Sequence, residues 1–118
     1  MSDTIDLSAL RKLKEMIGGD AEDLAELVED FLESLPEQLA EMRQAQSAQD
    51  WSALRIAVHS CKSNARDMGA TDLAERCRVL ELQCKEGAPS DLEAQLSGIV
   101  AASNQAVDAL RTIEVAGV

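Results

Sequence analysis

The stretch DWSALRIAVHSCKSNARDMGATDL, residues 50–73, decides the fold of this 118-residue chain. Its apolar residues recur every three or four positions, which is the spacing of the buried face of an α-helix. These residues are Trp51, Leu54, Val58, Cys61, Ala65 and Met68. At about 100° per residue, the single histidine, His59, projects roughly 130° away from the middle of that face. The stretch therefore predicts a helix that packs one side into a core and presents His59 on its outer side.

The same stretch is basic within an acidic chain. Between Trp51 and Arg66 there are three basic residues and no acidic one, whereas the whole chain has a net charge of −11. The basic residues Arg55, Lys62 and Arg66 lie one or two turns from His59 on its outer side. A histidine in such surroundings can accept a phosphoryl group, and Lys62 is placed to interact with the added negative charge. An ordinary surface histidine beside solvated basic side chains is the alternative, and charge and spacing alone favour it.

Length and composition restrict the class of protein. We expect one domain spanning residues 1–118, with its core at about 6–114. Aromatic residues make up 2% of the chain and tyrosine is absent, so the composition favours helices built on aliphatic side chains. The acidic balance argues against nucleic acid or an anionic membrane as a partner. No apolar run approaches membrane-spanning length and the first residues are unlike a signal peptide, so we expect a cytoplasmic protein.

Periodicity and capping residues predict an all-α protein with five helices. The predicted boundaries are Asp6 to Ile17, ending at two glycines; Asp20 to about Ala48, with a bend at Pro36; Asp50 to Gly69; Thr71, as a cap, to Gly87; and a Ser90–Glu93 capping box to about Glu114. Residues 1–5 and the residues after Glu114 are expected to be short tails. Short connections between long helices predict an antiparallel four-helix bundle with an additional short N-terminal helix.

The three cysteines lie on apolar helical faces. They are Cys61, Cys77 and Cys84, and an odd number of cysteines does not form a disulfide framework. We therefore expect buried, reduced thiols. A metal site built from them and His59 is disfavoured, because His59 and Cys61 face different ways and no C-x-x-C pair occurs. We predict no metal site.

Around His59 the chain resembles the signature of histidine-containing phosphotransfer (HPt) domains, approximately H-x-L-K-G-x-[SA]-x-x-x-G-A-x-x-L. The matching residues are His59, Lys62, Ala65, Gly69, Ala70 and Leu73. The similarity extends from about residue 6 to about residue 112, through Phe31, Leu35, Pro36, Leu39, Asp50 and Trp51 on one side and Cys77, Leu80 and Glu81 on the other. Ser63 stands where the family usually has glycine, and Cys61 where it usually has leucine.

The resemblance implies a phosphorelay carrier. It implies that His59 accepts a phosphoryl group from the aspartyl phosphate of a response-regulator receiver domain and passes it to another receiver. Lys62, with Arg55 and Arg66 nearby, supplies positive charge, while Ile56 and Ser63 belong to the docking surface. The partners are receiver domains or a hybrid histidine kinase, Mg²⁺ is expected on the receiver, and the protein itself needs no cofactor and is expected to be a monomer.

The chain has no glycine-rich nucleotide loop, so we expect a phosphoryl carrier and not an enzyme that uses ATP.

Two alternatives stay open. The bulk of Ser63 is the argument for the first alternative, an HPt-like bundle that binds receivers without carrying phosphate. The second is a structural bundle or a thiol-based sensor that uses its cysteines.

Overall fold

The computed structural model describes residues 4–118 and contains five α-helices in that range. They are α1 Leu7–Met16, α2 Ala21–Ala48, α3 Trp51–Asp67, α4 Thr71–Glu86 and α5 Leu92–Thr112, followed by a short 3-10 turn at Val115–Gly117. The 28 residues of α2 correspond to about 42 Å of helix, which matches the longest dimension of the molecule, 43 Å. The predicted all-α class is confirmed.

Helices α2 to α5 form the four-helix bundle. Each packs against its neighbour in the order α2, α3, α4, α5, and α5 closes the ring against α2, while α1 lies across α2 and α3. Two to five residues connect successive bundle helices, a length typical of antiparallel neighbours. The core between them consists mainly of leucine, alanine, valine, isoleucine, methionine and cysteine side chains.

The first three helices begin as their sequences predict. The carboxylates of Asp6, Asp20 and Asp50 each accept a hydrogen bond from a backbone N–H in the first turn of α1, α2 and α3 respectively. An aspartate at this position satisfies a donor that has no partner within the helix and places negative charge at the positive end of the helix dipole. Helix α2 continues through Pro36; the bend expected there stays a prediction.

The predicted caps of the last two helices were wrong. Helix α4 is capped by Ala70, one residue before Thr71, and no side chain bonds to its first turn. Helix α5 begins after Asp91, whose backbone is left-handed (φ 49°). The side chain of Asp91 makes no hydrogen bond to the first turn of α5 either. Glu93 instead lies at the surface and accepts a hydrogen bond of 2.8 Å from Arg43 of the neighbouring α2. The Glu93 carboxylate, which the predicted capping box required, forms an ion pair with Arg43 of another helix.

The turn between α3 and α4 holds α1 in place. Gly69 has a φ of +76°, a conformation that favours glycine. Its carbonyl oxygen accepts a hydrogen bond of 2.8 Å from the backbone N–H of Asp6. A Cβ atom at this position would overlap the Asp6 carbonyl oxygen, so the segment before α1 can approach only bare backbone.

Both ends of the described chain pack more tightly than predicted. Ile5 is buried in the core, so the expectation of a tail through residue 5 was wrong there; residues 1–3 lie outside the described range. The turn after Glu114 packs on α2, and the carbonyl oxygen of Val118 accepts a hydrogen bond of 3.1 Å from Lys14. Among residues 4–118, no helix has the length and apolar character needed to cross a membrane.

Candidate functional site

The site lies where α3 and α4 pack along each other, the most extensive helix–helix contact in the molecule. The apolar face of α3 is buried as predicted, with Leu54, Val58, Cys61 and Ala65 inaccessible to solvent. His59 therefore lies on the outer side, and 56% of its side chain is exposed. The prediction of an outward histidine on a helix that packs into the core is confirmed.

The His59 ring is held from one side by a buried carboxylate. Glu81 of α4 is 5% exposed as a residue, yet its two carboxylate oxygens each have a partner on α3. Oε2 lies 2.8 Å from Nδ1 of His59, and Oε1 lies 2.5 Å from Nζ of Lys62. One carboxylate thus joins the histidine to the lysine one turn further along α3.

The protonation of Glu81 determines which ring nitrogen of His59 carries hydrogen. Burial acts to raise the pKa of Glu81, but hydrogen bonds from Lys62 and His59 outweigh it, and this pKa lies below its ordinary value. Glu81 is therefore ionised at neutral pH and can only accept hydrogen bonds. Nδ1 of His59 must then carry the hydrogen, so in the neutral ring the lone pair is on Nε2. Nε2 has no hydrogen-bond partner within residues 4–118.

Lys62 is next to His59 as predicted, but it is not a free cation. Its side chain is only 15% exposed and its ammonium is paired with Glu81. An ammonium group has three hydrogens to donate, so this pair leaves donors for a phosphoryl oxygen. Lys62 therefore belongs to the site through its ion pair with Glu81, and its ammonium group is less exposed to solvent than the sequence suggested.

The other predicted site residues lie on α3 before and after His59 and form no hydrogen bond with it. Arg55 and Arg66 are exposed on α3 and form no ion pair with any residue in the described part of the chain. Burial raises the pKa of Cys84 of α4, and the nearby Arg55 offsets part of that rise. Arg66 lies near both α1 and α4, since it lines a groove with Ala9 and Glu75. Ile56 is exposed one turn before His59, and Ser63 is half-buried one turn after it.

Glu81 is the residue of this site to which the sequence analysis gave no role. Its signal was present in α4, where Leu73, Cys77, Leu80 and Cys84 form the buried face. Glu81 is four residues after Cys77, beside that face, where a carboxylate has to find a partner. The sequence did not show that its partners are His59 and Lys62, because that depends on how α3 and α4 align.

The three cysteines are free and buried, as predicted. Cys61 and Cys77 face each other across the α3–α4 contact. The proximity of Cys61, together with burial, raises the pKa of the Cys77 thiol above its usual range. A buried thiol with a raised pKa is unreactive, so we expect Cys77 to have a structural role.

A helical bundle with a half-exposed histidine fixed by a buried carboxylate is the arrangement expected of a phosphoryl carrier, and comparison with known proteins identifies its family. The family model described as "Hpt domain" matches residues 26–113. The fold is similar to that of histidine-containing phosphotransfer protein B (HptB) from Pseudomonas aeruginosa PAO1, with a TM-score of 0.84, 24% sequence identity and 94% of each chain covered. It is also similar to the HPT domain of the Hpt sensor hybrid histidine kinase from Shewanella, with a TM-score of 0.73, 17% identity, and 92% of this chain and 91% of that one covered.

This chain belongs to the Hpt domain family, since the match covers well over half of its length. It is a histidine phosphotransfer protein of a phosphorelay. Members of the family carry phosphoryl groups and interact with receiver domains and hybrid kinases. A search of functionally curated proteins found no match to the chain.

Proposed function

We propose that Nε2 of His59 is the phosphoryl acceptor of this protein, with a receiver-domain aspartyl phosphate as the donor. The observation that carries the proposal is the 2.8 Å contact between Nδ1 of His59 and the ionised Glu81. This contact keeps the hydrogen on Nδ1 and the nucleophilic lone pair on Nε2. The exposure of the ring leaves room for a partner to approach.

The transfer balances as a displacement at phosphorus. The Nε2 lone pair forms the N–P bond while the P–O bond to the aspartyl carboxylate breaks, and that carboxylate leaves with the bonding electrons. Because Nδ1 keeps its hydrogen, the ring gains positive charge as the N–P bond forms. Glu81 lies on the far side of the ring from Nε2, where its negative charge stabilises that developing charge. Glu81 is thus proposed as the residue that positions and polarises His59.

Lys62, Arg55 and Arg66 are proposed to offset the charge of the phosphoryl group. Lys62 is one turn from His59 with donors to spare, and the two arginines provide longer-range positive potential on the same helix. Charge stabilisation and positioning are the larger part of phosphoryl-transfer catalysis, and the receiver, with its Mg²⁺, is expected to supply most of it. The carrier itself is proposed to use no ATP and no cofactor.

The docking surface is proposed to lie around His59 and to include Ile56 and Ser63. Ile56 supplies exposed apolar surface one turn before the acceptor, and Ser63 is half-buried one turn after it. We further expect residues 1–118 to behave as one domain, as a monomer in solution and in the cytoplasm. Light scattering of the purified protein tests the oligomeric state.

Replacing His59 by glutamine tests the acceptor. The protein is incubated with a phosphorylated receiver and Mg²⁺, and in parallel with phosphoramidate, a small donor that needs no docking surface. We expect the wild type to be labelled by both donors and His59→Gln by neither. Because His59 is half-exposed and glutamine keeps an N–H that can reach Glu81, the stability of the variant should change by no more than about 1 kcal/mol.

Chemical stability of the label identifies the labelled group. A phosphohistidine is lost in acid and kept in base, and the matched variants Ser60→Ala and Ser63→Ala should keep the label. A label that persists in His59→Gln, or that survives acid, would overturn the assignment. A receiver that binds the wild type without labelling it would favour the alternative of a docking bundle that carries no phosphate.

A further inference from the structure

Two grooves open at opposite ends of the outer face of α3, and His59 lies between them. Ile56, His59, Ser63 and Asp67 recur at intervals of three and four residues, so they form one stripe within an arc of about 80°. Ile56 lines the groove at the start of the stripe and Asp67 lines the one at its end. The acceptor is therefore flanked along the helix by two separate concave surfaces.

The groove at the start of α3 is acidic. It has a volume of about 340 Å³ and lies between α2 and α3. Its apolar lining consists of Ile56 and the alanines at positions 45, 48 and 53, and its charged residues, Glu41 and Asp50, are both acids. Asp50 caps α3 through the backbone of Ala53. Glu41 is exposed and has no ion-pair partner within residues 4–118.

The groove at the end of α3 is basic. It has a volume of about 480 Å³ and lies between α1 and α3. Lys12 of α1 and Arg66 of α3 outnumber its single acid, Asp67, and Met16 and Ala9 provide apolar surface. Lys12 makes no ion pair with any residue of the described chain. This groove exists only because α1 is held against the end of the bundle.

Each groove holds one of the two most exposed large hydrophobic side chains among residues 4–118. Met16 is 74% exposed and Ile56 is 61% exposed. Exposed apolar surface with polar or charged residues around it is typical of protein interaction sites. Ile56 lies in the acidic groove and Met16 in the basic groove.

Both grooves lie within reach of one docked partner. At about 1.5 Å per residue, Ile56 lies about 4.5 Å along α3 from His59 and Arg66 about 10.5 Å in the other direction. A standard interface buries about 800 Å² on each partner, which corresponds to a disc with a radius of about 16 Å. A partner centred on His59 therefore covers the residues of α3 that line the two grooves.

We propose that the acidic groove and the basic groove together set the rotational orientation of the docked receiver about His59. This inference rests on the proposed function and specifies its partner. The receiver is one that presents a basic side chain to Glu41 and an acidic side chain to Lys12 and Arg66, on opposite sides of its phosphorylated aspartate. A single central contact at His59 leaves the partner free to rotate, whereas two flanking contacts of opposite charge favour one orientation and penalise its reverse.

A charge swap that leaves the net charge unchanged separates this proposal from simple electrostatic attraction. Lys12→Glu and Glu41→Lys are made singly and together, and transfer from the receiver that labels His59 fastest is measured at low and high salt. Each single variant should lower kcat/KM by about three- to tenfold at low salt. The double variant keeps the net charge of −11 and should lose about the product of the two effects, because the sites are far apart. High salt should reduce all of these losses.

Matched controls lie on α5, which packs on α2 and α4 and does not contact α1 or α3. Arg111→Glu and Asp108→Lys change the net charge by the same amounts at exposed positions, and they should leave transfer unchanged. Phosphoramidate should label every variant at the wild-type rate, since a small donor does not use the grooves. Circular dichroism verifies that each variant is folded.

The outcomes are distinguishable. A double variant that transfers at the wild-type rate would show that net charge alone governs docking, and equal rates for all variants would show that the grooves are not used; either result overturns the proposal. If neither phosphoramidate nor any receiver labels His59, the proposed function fails and this inference fails with it. Slowest transfer in the double variant, with normal phosphoramidate labelling, supports the proposal.

Discussion

Glu81 is the residue whose replacement tests the chemistry of the site most directly. Glu81→Gln keeps the shape of the side chain and an oxygen that can accept a hydrogen bond from Nδ1 of His59, but it removes the negative charge. Glu81→Ala removes both. Because one carboxylate has both His59 and Lys62 as partners, each variant should affect phosphoryl transfer and stability together.

The expected size of the kinetic effect follows from the 2.8 Å contact between Glu81 and the ring. A hydrogen bond to a charged group contributes about 1.5–3 kcal/mol, and about 1.4 kcal/mol corresponds to a tenfold change in rate. Glutamine keeps a neutral hydrogen bond worth about 0.5–1.5 kcal/mol, so only the difference of about 1–1.5 kcal/mol is lost and we expect Glu81→Gln to slow labelling by about five- to tenfold. Glu81→Ala should be at least as slow, because the ring can then place its hydrogen on Nε2 and lose the nucleophilic lone pair.

The expected loss of stability comes from Lys62. Removing one partner of a fully buried pair costs about 3–5 kcal/mol, because the remaining charge is left without compensation. The Lys62 side chain is 15% exposed and can turn toward water. We therefore expect Glu81→Gln to lower the free energy of unfolding by about 1–3 kcal/mol. A matched variant that also carries Lys62→Met removes both charges and should recover most of that loss without recovering the rate.

Two measurements check these expectations. Nitrogen-15 NMR of the single histidine reports which ring nitrogen carries the hydrogen, and phosphoramidate labelling reports the reactivity of Nε2 without any docking contribution. We expect Nδ1–H in the wild type and a mixture of the two tautomers in Glu81→Ala. An Nε2–H tautomer in the wild type, or unchanged labelling of both Glu81 variants, would refute the role assigned to Glu81.

The same carboxylate predicts a pH dependence of stability. The pKa of Glu81 in the folded protein lies below its ordinary value, so near pH 4 the unfolded chain binds more protons than the folded one. Its contribution is then complete above the ordinary glutamate pKa of about 4.3 and is lost as the pH falls through the lower, folded value. The difference in free energy of unfolding between the wild type and Glu81→Gln should be constant above about pH 5 and should shrink below about pH 4.3.

Other replacements test the surroundings of the site. Gly69→Ala should destabilise the protein by more than about 2 kcal/mol, because a side chain is strained at φ +76° and overlaps Asp6; a melting curve like that of the wild type would contradict this. Cys77→Ala should cost about 1–2 kcal/mol through lost core volume, and Cys77 should resist alkylation until the chain unfolds; rapid labelling of the native protein would restore the sensor hypothesis. Lys62→Ala should slow transfer by about ten- to a hundredfold, and unchanged transfer would remove Lys62 from the site. Ser63→Gly should speed transfer modestly if the hydroxymethyl group hinders docking, at about 1 kcal/mol of stability; slower transfer would mean that the hydroxyl contacts the phosphoryl group or the partner.

The helices could be predicted because their signals are local. Spacings of three and four residues place Leu54, Val58 and Cys61 on one face whatever that face packs against. An aspartate before a helix finds its backbone donor two or three residues away, as Asp20 and Asp50 do. The helical bundle and the outward position of His59 followed from these patterns.

The wrong predictions concern residues whose partners lie far away in the chain. Glu93 has the sequence context of a capping box, yet it pairs with Arg43, which is 50 residues distant. Ile5 looked like part of a tail because a short segment before a helix carries no periodicity, and it is buried because the backbone of Asp6 bonds to Gly69. In both cases a long-range contact outweighed the local preference.

The sequence by itself therefore determined the helical class, which face of each helix is buried, the exposure of His59 and the proximity of Lys62 to His59. Only the tertiary structure decided what holds the acceptor. Glu81 is 22 residues from His59, and whether its carboxylate reaches Nδ1 depends on the rotation of α3 and α4 about their axes and on their relative height. Those quantities result from the packing of the whole core, in which every buried side chain takes part. The groove between α1 and α3 depends in the same way on a close backbone approach at Gly69. The period of a helix predicts which side of it is buried, but not which residue of a neighbouring helix lies opposite.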